Sequence, residues 1–128
     1  MDASNAGVQA DLGALLSEKG ETAEGLEHLE KAVALKPESA AVQNKLASAL
    51  LKIGQTGEAV AHFGKAVELA PDTIEFRVGF ADALSRAGRL PDAIAQLQKS
   101  IDISGGQDGE LVRDLRARLA SYEQAQRR

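Results

Sequence analysis

The chain has 128 residues, a length that fits one domain with a hydrophobic core of its own. Its 44% hydrophobic and 27% charged residues argue against disorder, and its net charge of -4 argues against a general nucleic-acid binder. The absence of cysteine excludes disulfides and thiolate chemistry. Aromatic residues make up 3% of the chain, so alanine and leucine must supply most of the core, which favours packed helices over sheets.

The sequence contains neither an apparent membrane span nor an export signal. Its apolar runs are far shorter than a helix needs to cross a bilayer, so we expect no membrane insertion. Residues 1–6 lack the basic segment and apolar run of a signal peptide, so we expect a cytoplasmic protein.

The sequence repeats with a period of 34 residues. Gly20, Gly54 and Gly88 occupy the same position in successive periods, and a large apolar residue follows each glycine at the same distance. Equal units of this kind indicate a stack in which each unit buries its apolar face on the next. The predicted segments are an N-terminal extension (1–5), three repeat units (6–39, 40–73 and 74–107) and a C-terminal segment (108–128).

Each unit contains the pattern of two helices, which is clearest in unit two. Val42, Leu46 and Leu50 recur at helical spacing and form the apolar stripe of the first helix. Gly54 ends that helix because glycine adopts the left-handed conformation without strain. Pro71 ends the second helix because proline cannot continue one. Short turns between such helices predict antiparallel neighbours.

Residues that cap helices stand at several of these boundaries. Ser39 and Thr73 precede the first helices of units two and three, where a side-chain oxygen accepts a hydrogen bond from the helix N-terminus. Thr56 is placed to cap the second helix of unit two. Pro91 fits the first turn of the corresponding helix in unit three, where its missing N–H costs nothing.

The C-terminal segment has a different pattern. Leu111, Leu115, Leu119 and Tyr122 form a narrow apolar stripe, which Val112 widens at its start, and arginines occupy much of the remaining surface. We predict a helix that caps the open end of unit three, because the ends of a solenoid need a polar outer surface. A basic helix that binds a partner is the alternative.

The repeat as a whole resembles the tetratricopeptide repeat. The likeness covers residues 6–107 and consists of a small residue in the first helix, glycine at the turn, and alanine with a large apolar residue in the second helix. The matching residues are Leu12, Gly13, Ala32 and Pro37 in unit one, Leu46, Ala59, Phe63, Ala66 and Pro71 in unit two, and Ala81, Gly88 and Ala93 in unit three.

The chain departs from that family at the first aromatic position of the repeat. Gln9, Gln43 and Arg77 stand there, each preceded by an apolar residue. We therefore expect the packing edge of the first helix to be shifted by one residue. Unit three also ends in Gly105 where the family has proline.

The resemblance implies an all-α, right-handed superhelical solenoid of antiparallel helix pairs, whose first helices line a concave groove that binds a peptide or a short helix. The groove positions map to Ala10, Ala14, Asn44, Ser48, Leu51, Lys52, Val78, Asp82 and Ser85, with Gly7, Ser17, Glu75, Val112 and Arg116 beside them. Leu51 and Val78 are the candidate apolar anchors for a ligand side chain. Asn44 is a candidate hydrogen-bond partner for a peptide backbone.

Family members similar to co-chaperones hold the C-terminal carboxylates of a ligand with a clamp of Lys, Asn and Arg. The corresponding positions here hold Ala10 and Ala14 in unit one, and Glu75 and Val78 or Gly79 in unit three. The sequence therefore predicts that the clamp is absent and that a chaperone tail is not the ligand.

Catalytic, cofactor and metal sites are not indicated by the sequence. His28 and His62 lie one repeat apart on second helices, with no further ligands to complete a metal site. We find no nucleophile with a neighbouring base. We therefore predict no enzyme activity, no cofactor and no metal.

The predicted function is a non-catalytic protein-interaction scaffold with a protein or peptide ligand in its groove. Two alternatives remain open. The stretch from Leu115 to Tyr122 resembles bacterial multi-domain proteins, so the domain is alternatively a targeting or assembly module of a larger transferase or hydrolase. The domain alternatively self-associates through its repeat ends, because unit one lacks a cap over Val8, Leu12 or Leu15.

Overall fold

The computed structural model describes residues 5–106 and 109–128, and these residues form seven α-helices and no strand. The helices are α1 (Ala6–Glu18), α2 (Thr22–Leu35), α3 (Ala40–Lys52), α4 (Thr56–Leu69), α5 (Ile74–Arg86), α6 (Leu90–Ile103) and α7 (Glu110–Gln126). Most of the predicted N-terminal extension, and the predicted boundary at residues 107 and 108, lie outside the described residues. No helix in the described part of the chain is long and apolar enough to cross a membrane.

The helices form antiparallel pairs that stack in chain order. Each first helix packs most extensively on the second helix of its own unit: α1 on α2, α3 on α4, and α5 on α6. Successive pairs meet through α2 with α3 and α4 with α5, while α1, α3 and α5 lie side by side. The all-α solenoid predicted from the repeat pattern is confirmed.

The turn inside each unit has the same geometry. Gly20, Gly54 and Gly88 adopt positive φ angles of 90°, 83° and 80°. In each turn the next residue donates its backbone N–H back to the last turn of the first helix, as Gln55 does to the Leu50 carbonyl at 2.9 Å. This Schellman arrangement requires the left-handed residue that glycine supplies.

Of the three predicted N-cap residues, one caps its helix through its side chain and two do not. The Ser39 hydroxyl accepts a hydrogen bond from the Val42 N–H at 3.3 Å, as expected of an N-cap. Thr73 occupies the N-cap of α5 without a side-chain bond. The prediction for Thr56 is wrong, because the tight turn at Gly54 makes Gln55 the N-cap and Thr56 the first residue of α4.

The paired helices of unit one touch through their backbones. Gly13 of α1 and Gly25 of α2 face each other, and a Cβ atom at Gly13 would lie 2.6 Å from the Gly25 carbonyl oxygen. Fully buried alanine pairs occupy the equivalent positions in the other units: Ala47 with Ala59, and Ala81 with Ala93. Small residues at this crossing set how closely the two helices of each unit approach.

Two aromatic rings connect units two and three. The Phe63 ring of α4 packs over Gly79 of α5, where a Cβ atom would come within 2.5 Å of the ring. The Phe80 ring of α5 lies over Gly64 of α4, with ordinary van der Waals spacing from a Cβ atom there. Each ring therefore fills the space above a glycine on the opposite helix.

A hydrogen bond joins the two helices of every unit at the position where the family has its first aromatic residue. Gln9 contacts His28, Gln43 contacts His62, and Arg77 contacts Gln96, each at 2.7 Å. The same polar contact thus recurs three times. In units one and two a histidine on the second helix faces a glutamine oxygen on the first, whereas in unit three Arg77 on the first helix donates to Gln96 on the second. It takes the place of aromatic packing between the paired helices.

In units two and three, this polar contact also holds the loop that leads into the unit. The Gln43 amide nitrogen donates to the Pro37 carbonyl at 2.9 Å, and the Arg77 Nε donates to the Pro71 carbonyl at 2.8 Å. The bond to Pro37 turns the Gln43 Oε1 towards His62, so the His62 Nδ1 carries the hydrogen. One side chain therefore fixes both the helix pair and the connection to the preceding unit.

α7 packs on α6 and covers the C-terminal end of the stack. Val112 and Leu115 are buried in this contact, and Leu119 and Tyr122 are half-buried. Leu111 was expected in the buried stripe but is exposed. Val112 is buried because it lies three residues before Leu115 on the same side of the helix, whereas Leu111 lies beside that side.

The glycine crossing in unit one can be tested with a matched pair of substitutions in α1. We expect Gly13→Ala to lower the free energy of unfolding by about 1–3 kcal/mol, because the new methyl group overlaps the Gly25 backbone. Gly7→Ala, on the same helix with open space around it, should raise that free energy by about 0.5 kcal/mol. Urea unfolding followed by circular dichroism measures both, and equal effects would contradict the close crossing.

Candidate functional site

Two adjoining depressions lie on the face formed by the first helices. The first has a volume of about 320 Å³ and the second about 260 Å³. Ser48 and Lys52 of α3 line both depressions and form the edge between them. The first depression is also lined by Ala14, Ser17, Glu18, Asn44, Lys45, Ala49 and Glu75, and the second by Leu51, Phe63, Gly79, Asp82 and Arg86.

The structure brings most of the sequence-predicted groove residues together at these depressions. Ala14, Asn44, Ser48 and Lys52 line the first depression, and Leu51 and Asp82 join Ser48 and Lys52 around the second. α1, α3 and α5 each contribute because they lie side by side with the same rotation. Glu75 and Ser17, beside the predicted rows, also line the first depression.

Three predicted residues lie elsewhere. Ala10 is fully buried in the core between the first two units and cannot touch a ligand, so its assignment to the groove surface is wrong. Val78 is half-buried and packs against the core of unit three and α7. Ser85 lies at the C-terminal end of α5, where α7 reaches it through Tyr122.

Several residues of the depressions were not expected from the sequence. Lys45 and Glu18 lie next to Asn44 and Ser17 in the sequence. The rotation of their helices brings them to the first depression as well. Phe63 belongs to a second helix and is only 2% exposed, yet its ring lies beneath the second depression and fills the space beside Gly79. The sequence signal for Phe63 at this depression is a phenylalanine in one unit and a glycine in the next. Pairing the two residues requires knowing which helices meet.

Charges in the depressions are partly paired. Lys45 forms a salt bridge of 2.6 Å with Asp11, one repeat earlier, and Arg86 contacts Asp82 at 3.3 Å. Lys52 donates to the Ser17 carbonyl oxygen at 3.2 Å. Within the described residues, no carboxylate lies at salt-bridge distance from the Lys52 ammonium group. Its charge therefore faces the edge between the two depressions without an ionic partner there.

One buried hydroxyl also lies at the wall of the first depression. Ser17 is buried, and its Oγ has no hydrogen-bond partner among the described residues. Its backbone carbonyl binds Lys52, so Ser17 links the unit-one wall to the shared edge.

Comparison with known proteins decides the family. The sequence model described as "Tetratricopeptide repeat" matches residues 2–101, which is most of the chain. The chain belongs to the tetratricopeptide repeat (TPR) family. No curated protein matches the sequence.

A solved TPR structure has the same fold. The first TPR of Spaghetti (RPAP3), bound to the HSP90 peptide SRMEEVD, superposes with a TM-score of 0.86. The alignment covers 100% of this chain and 98% of that one, at 16% sequence identity. At this identity the likeness concerns the fold.

The two histidines of this TPR domain have structural contacts. In the part of the chain that the structure describes, no cluster of three or more His, Cys, Asp or Glu residues is arranged to hold a metal ion. His28 and His62 each bind a glutamine across their helix pair, which accounts for both histidines structurally.

The Tyr122 phenol marks the end of the groove face. It extends from α7 to Asp82 and Ser85 of α5 and lies beside Arg118. Burial, and secondly the Asp82 carboxylate, raise the pKa of Tyr122 above its ordinary value of 10.0, while Arg118 and the hydrogen bond with Ser85 oppose that rise. The capping helix of the TPR domain thereby contacts Ser85, one of the predicted groove residues, and its phenol interacts electrostatically with Asp82.

This contact predicts a pH-dependent role for Tyr122. At pH 8 the phenol is protonated in both states, and Tyr122→Phe should cost about 1 kcal/mol through the lost hydrogen bond. Because the folded-state pKa is raised, the wild type loses stability as the pH rises through the unfolded and then the folded pKa.

Phenylalanine does not titrate, so the difference in unfolding free energy between wild type and Tyr122→Phe should shrink from pH 8 to pH 11. Urea unfolding of both proteins at the two pH values measures it. A difference that stays constant or widens would contradict the burial of the phenol.

Proposed function

We propose that this TPR domain is a non-catalytic protein-interaction module that binds an extended peptide along the two adjoining depressions. The observation that carries the proposal is their continuity: Ser48 and Lys52 form a shared edge, and all three first helices contribute to the walls. A ligand that occupies both depressions must cross this edge.

The chemistry of the walls favours recognition of the peptide backbone. Asn44 offers both an amide donor and a carbonyl acceptor, and Ser48 offers a hydroxyl. Small residues such as Ala14 and Ala49 leave room for a main chain to approach. The Lys52 ammonium, which has no carboxylate partner among the described residues, adds a preference for an acceptor group, such as a peptide carbonyl or a carboxylate, where the ligand crosses the edge.

Apolar anchoring is confined to the second depression. The Phe63 ring lies below Gly79, and Leu51 forms part of the wall. This arrangement favours one apolar ligand side chain in the second depression, with polar contacts in the first. Val78 packs into the protein instead of facing the depressions. The preferred ligand therefore has one apolar residue followed or preceded by a polar, backbone-bound stretch.

The ligand of the solved TPR neighbour is an HSP90 peptide with an acidic end, SRMEEVD. We expect this chain to prefer a different peptide. Of the positions that correspond to a carboxylate clamp, Ala10 is buried, Ala14 has no polar group, and Glu75 carries a negative charge at the first depression. These residues supply no cation for a terminal carboxylate, and Glu75 repels it.

Ser48 is the most informative position at which to test peptide binding in the groove. It is exposed and belongs to both depressions, so Ser48→Arg should fill the shared edge without disturbing the core. Leu51 and Val78 are poorer probes, because both are half-buried and a charge there would also disturb packing.

The probe is a phage-displayed library of random ten-residue peptides selected on the immobilised wild-type domain. For the selected peptides we expect Ser48→Arg to weaken binding at least about tenfold in fluorescence anisotropy, a loss of about 1.4 kcal/mol. Ala61→Arg, which adds the same side chain at an exposed site on α4 outside both depressions, should bind like wild type. Equal affinity of the two variants would contradict the proposed site.

A further inference from the structure

The N-terminal end of the solenoid carries an exposed apolar stripe. Val8, Leu12 and Leu15 of α1, which we call the end stripe, are 61%, 41% and 49% exposed. Their spacing places them on one side of the helix. This is the outer side of α1, away from α2.

The repeat shows what the end stripe is built to contact. Its equivalents in α3 are Val42, Leu46 and Ala49, and all three are buried. The helix that packs there is α2, the second helix of the preceding unit, as α4 does on α5. The end stripe is therefore the surface on which one TPR unit stacks on another. In the part of the chain that the structure describes, no preceding unit covers it.

The opposite end of the molecule does not offer a matching apolar surface. α7 turns Val112 and Leu115 inward, and its exposed side is rich in arginine, with Leu111 as its one large exposed hydrophobic residue in the described segment. Head-to-tail stacking would set the end stripe against this charged surface. Such stacking is unfavourable because it would bury charged side chains against an apolar surface.

A second copy of the same end stripe is the better complement. Leu12 stands near the middle of α1, four residues after Val8 and three before Leu15. A two-fold axis at Leu12 sets this leucine against its own copy and brings Val8 near Leu15 of the partner. Asp11, the charged residue next to Leu12, forms a salt bridge with Lys45, which reduces its repulsion from the same residue of the second copy.

We propose that the end stripe is a self-association surface and that two copies of this chain join through α1 in a closed, symmetric dimer. The two-fold arrangement buries the end stripe of both copies in one contact and leaves the arginine-rich α7 surfaces at the two outer ends. Assembly therefore stops at two chains. This proposal is independent of peptide binding, because the groove depressions lie on another face.

Sedimentation equilibrium at several concentrations of the full chain tests the proposal. We expect the apparent mass to rise with concentration from 13.4 kDa towards twice that value and no further. Leu12→Gln should raise the dissociation constant at least about tenfold. Leu111→Gln, at a comparably exposed leucine on α7, is the matched control and should dimerise like wild type.

The lack of native cysteine allows a direct test of the symmetry. Under mild oxidation Leu12→Cys should form a covalent dimer much faster than Leu111→Cys, because residue 12 meets its own copy at the two-fold axis. A mass that stays at 13.4 kDa at all concentrations would overturn the proposal and leave the stripe for another protein or a further segment. Masses above that of a dimer, or faster cross-linking through residue 111, would also overturn it.

Discussion

The structure depends on the need of each helix pair to bury its apolar side on a neighbouring pair. A pair of helices of about 13 residues covers only part of its own hydrophobic surface, so α3 relies on α2 and α5 relies on α4. This requirement explains why the same residue positions are buried or half-buried in units two and three and exposed in unit one. It also explains the C-terminal helix, which covers the last pair with a surface that is apolar inside and charged outside.

Two kinds of contact take the place of aromatic packing between the paired helices. Glycine and alanine at the crossing of each pair let the helices approach closely, as Gly13 and Gly25 show by their backbone contact. The position expected to hold an aromatic residue instead carries a buried or half-buried polar side chain that binds the facing helix. Hydrogen bonds satisfied in this way fix the register of the pairs, since a slip of one helix would leave buried polar groups unpaired.

These contacts also shape the groove. Gly79 is needed so that the Phe63 ring fits between α4 and α5, and the same missing side chain opens the second depression down to that ring. The alanine and serine residues that line the first helices leave a shallow surface with few large anchors. Packing between units and the character of the binding face are therefore set by the same small residues.

The sequence by itself determined the period, the helix pairs, the glycine turns and the family, because these follow from local spacing and backbone preference. It also predicted that Ala14, Asn44, Ser48, Leu51, Lys52 and Asp82 share one face, because equivalent positions of equivalent helices point the same way, and these residues line the two depressions. Only the tertiary structure decided the rest. The burial of Ala10, the shift from Leu111 to Val112 and the contact of Tyr122 with Ser85 depend on how far each helix rotates against its support. The links of Gln43 to His62 and of Phe63 to Gly79 join separate helices, and no local pattern encodes such distances.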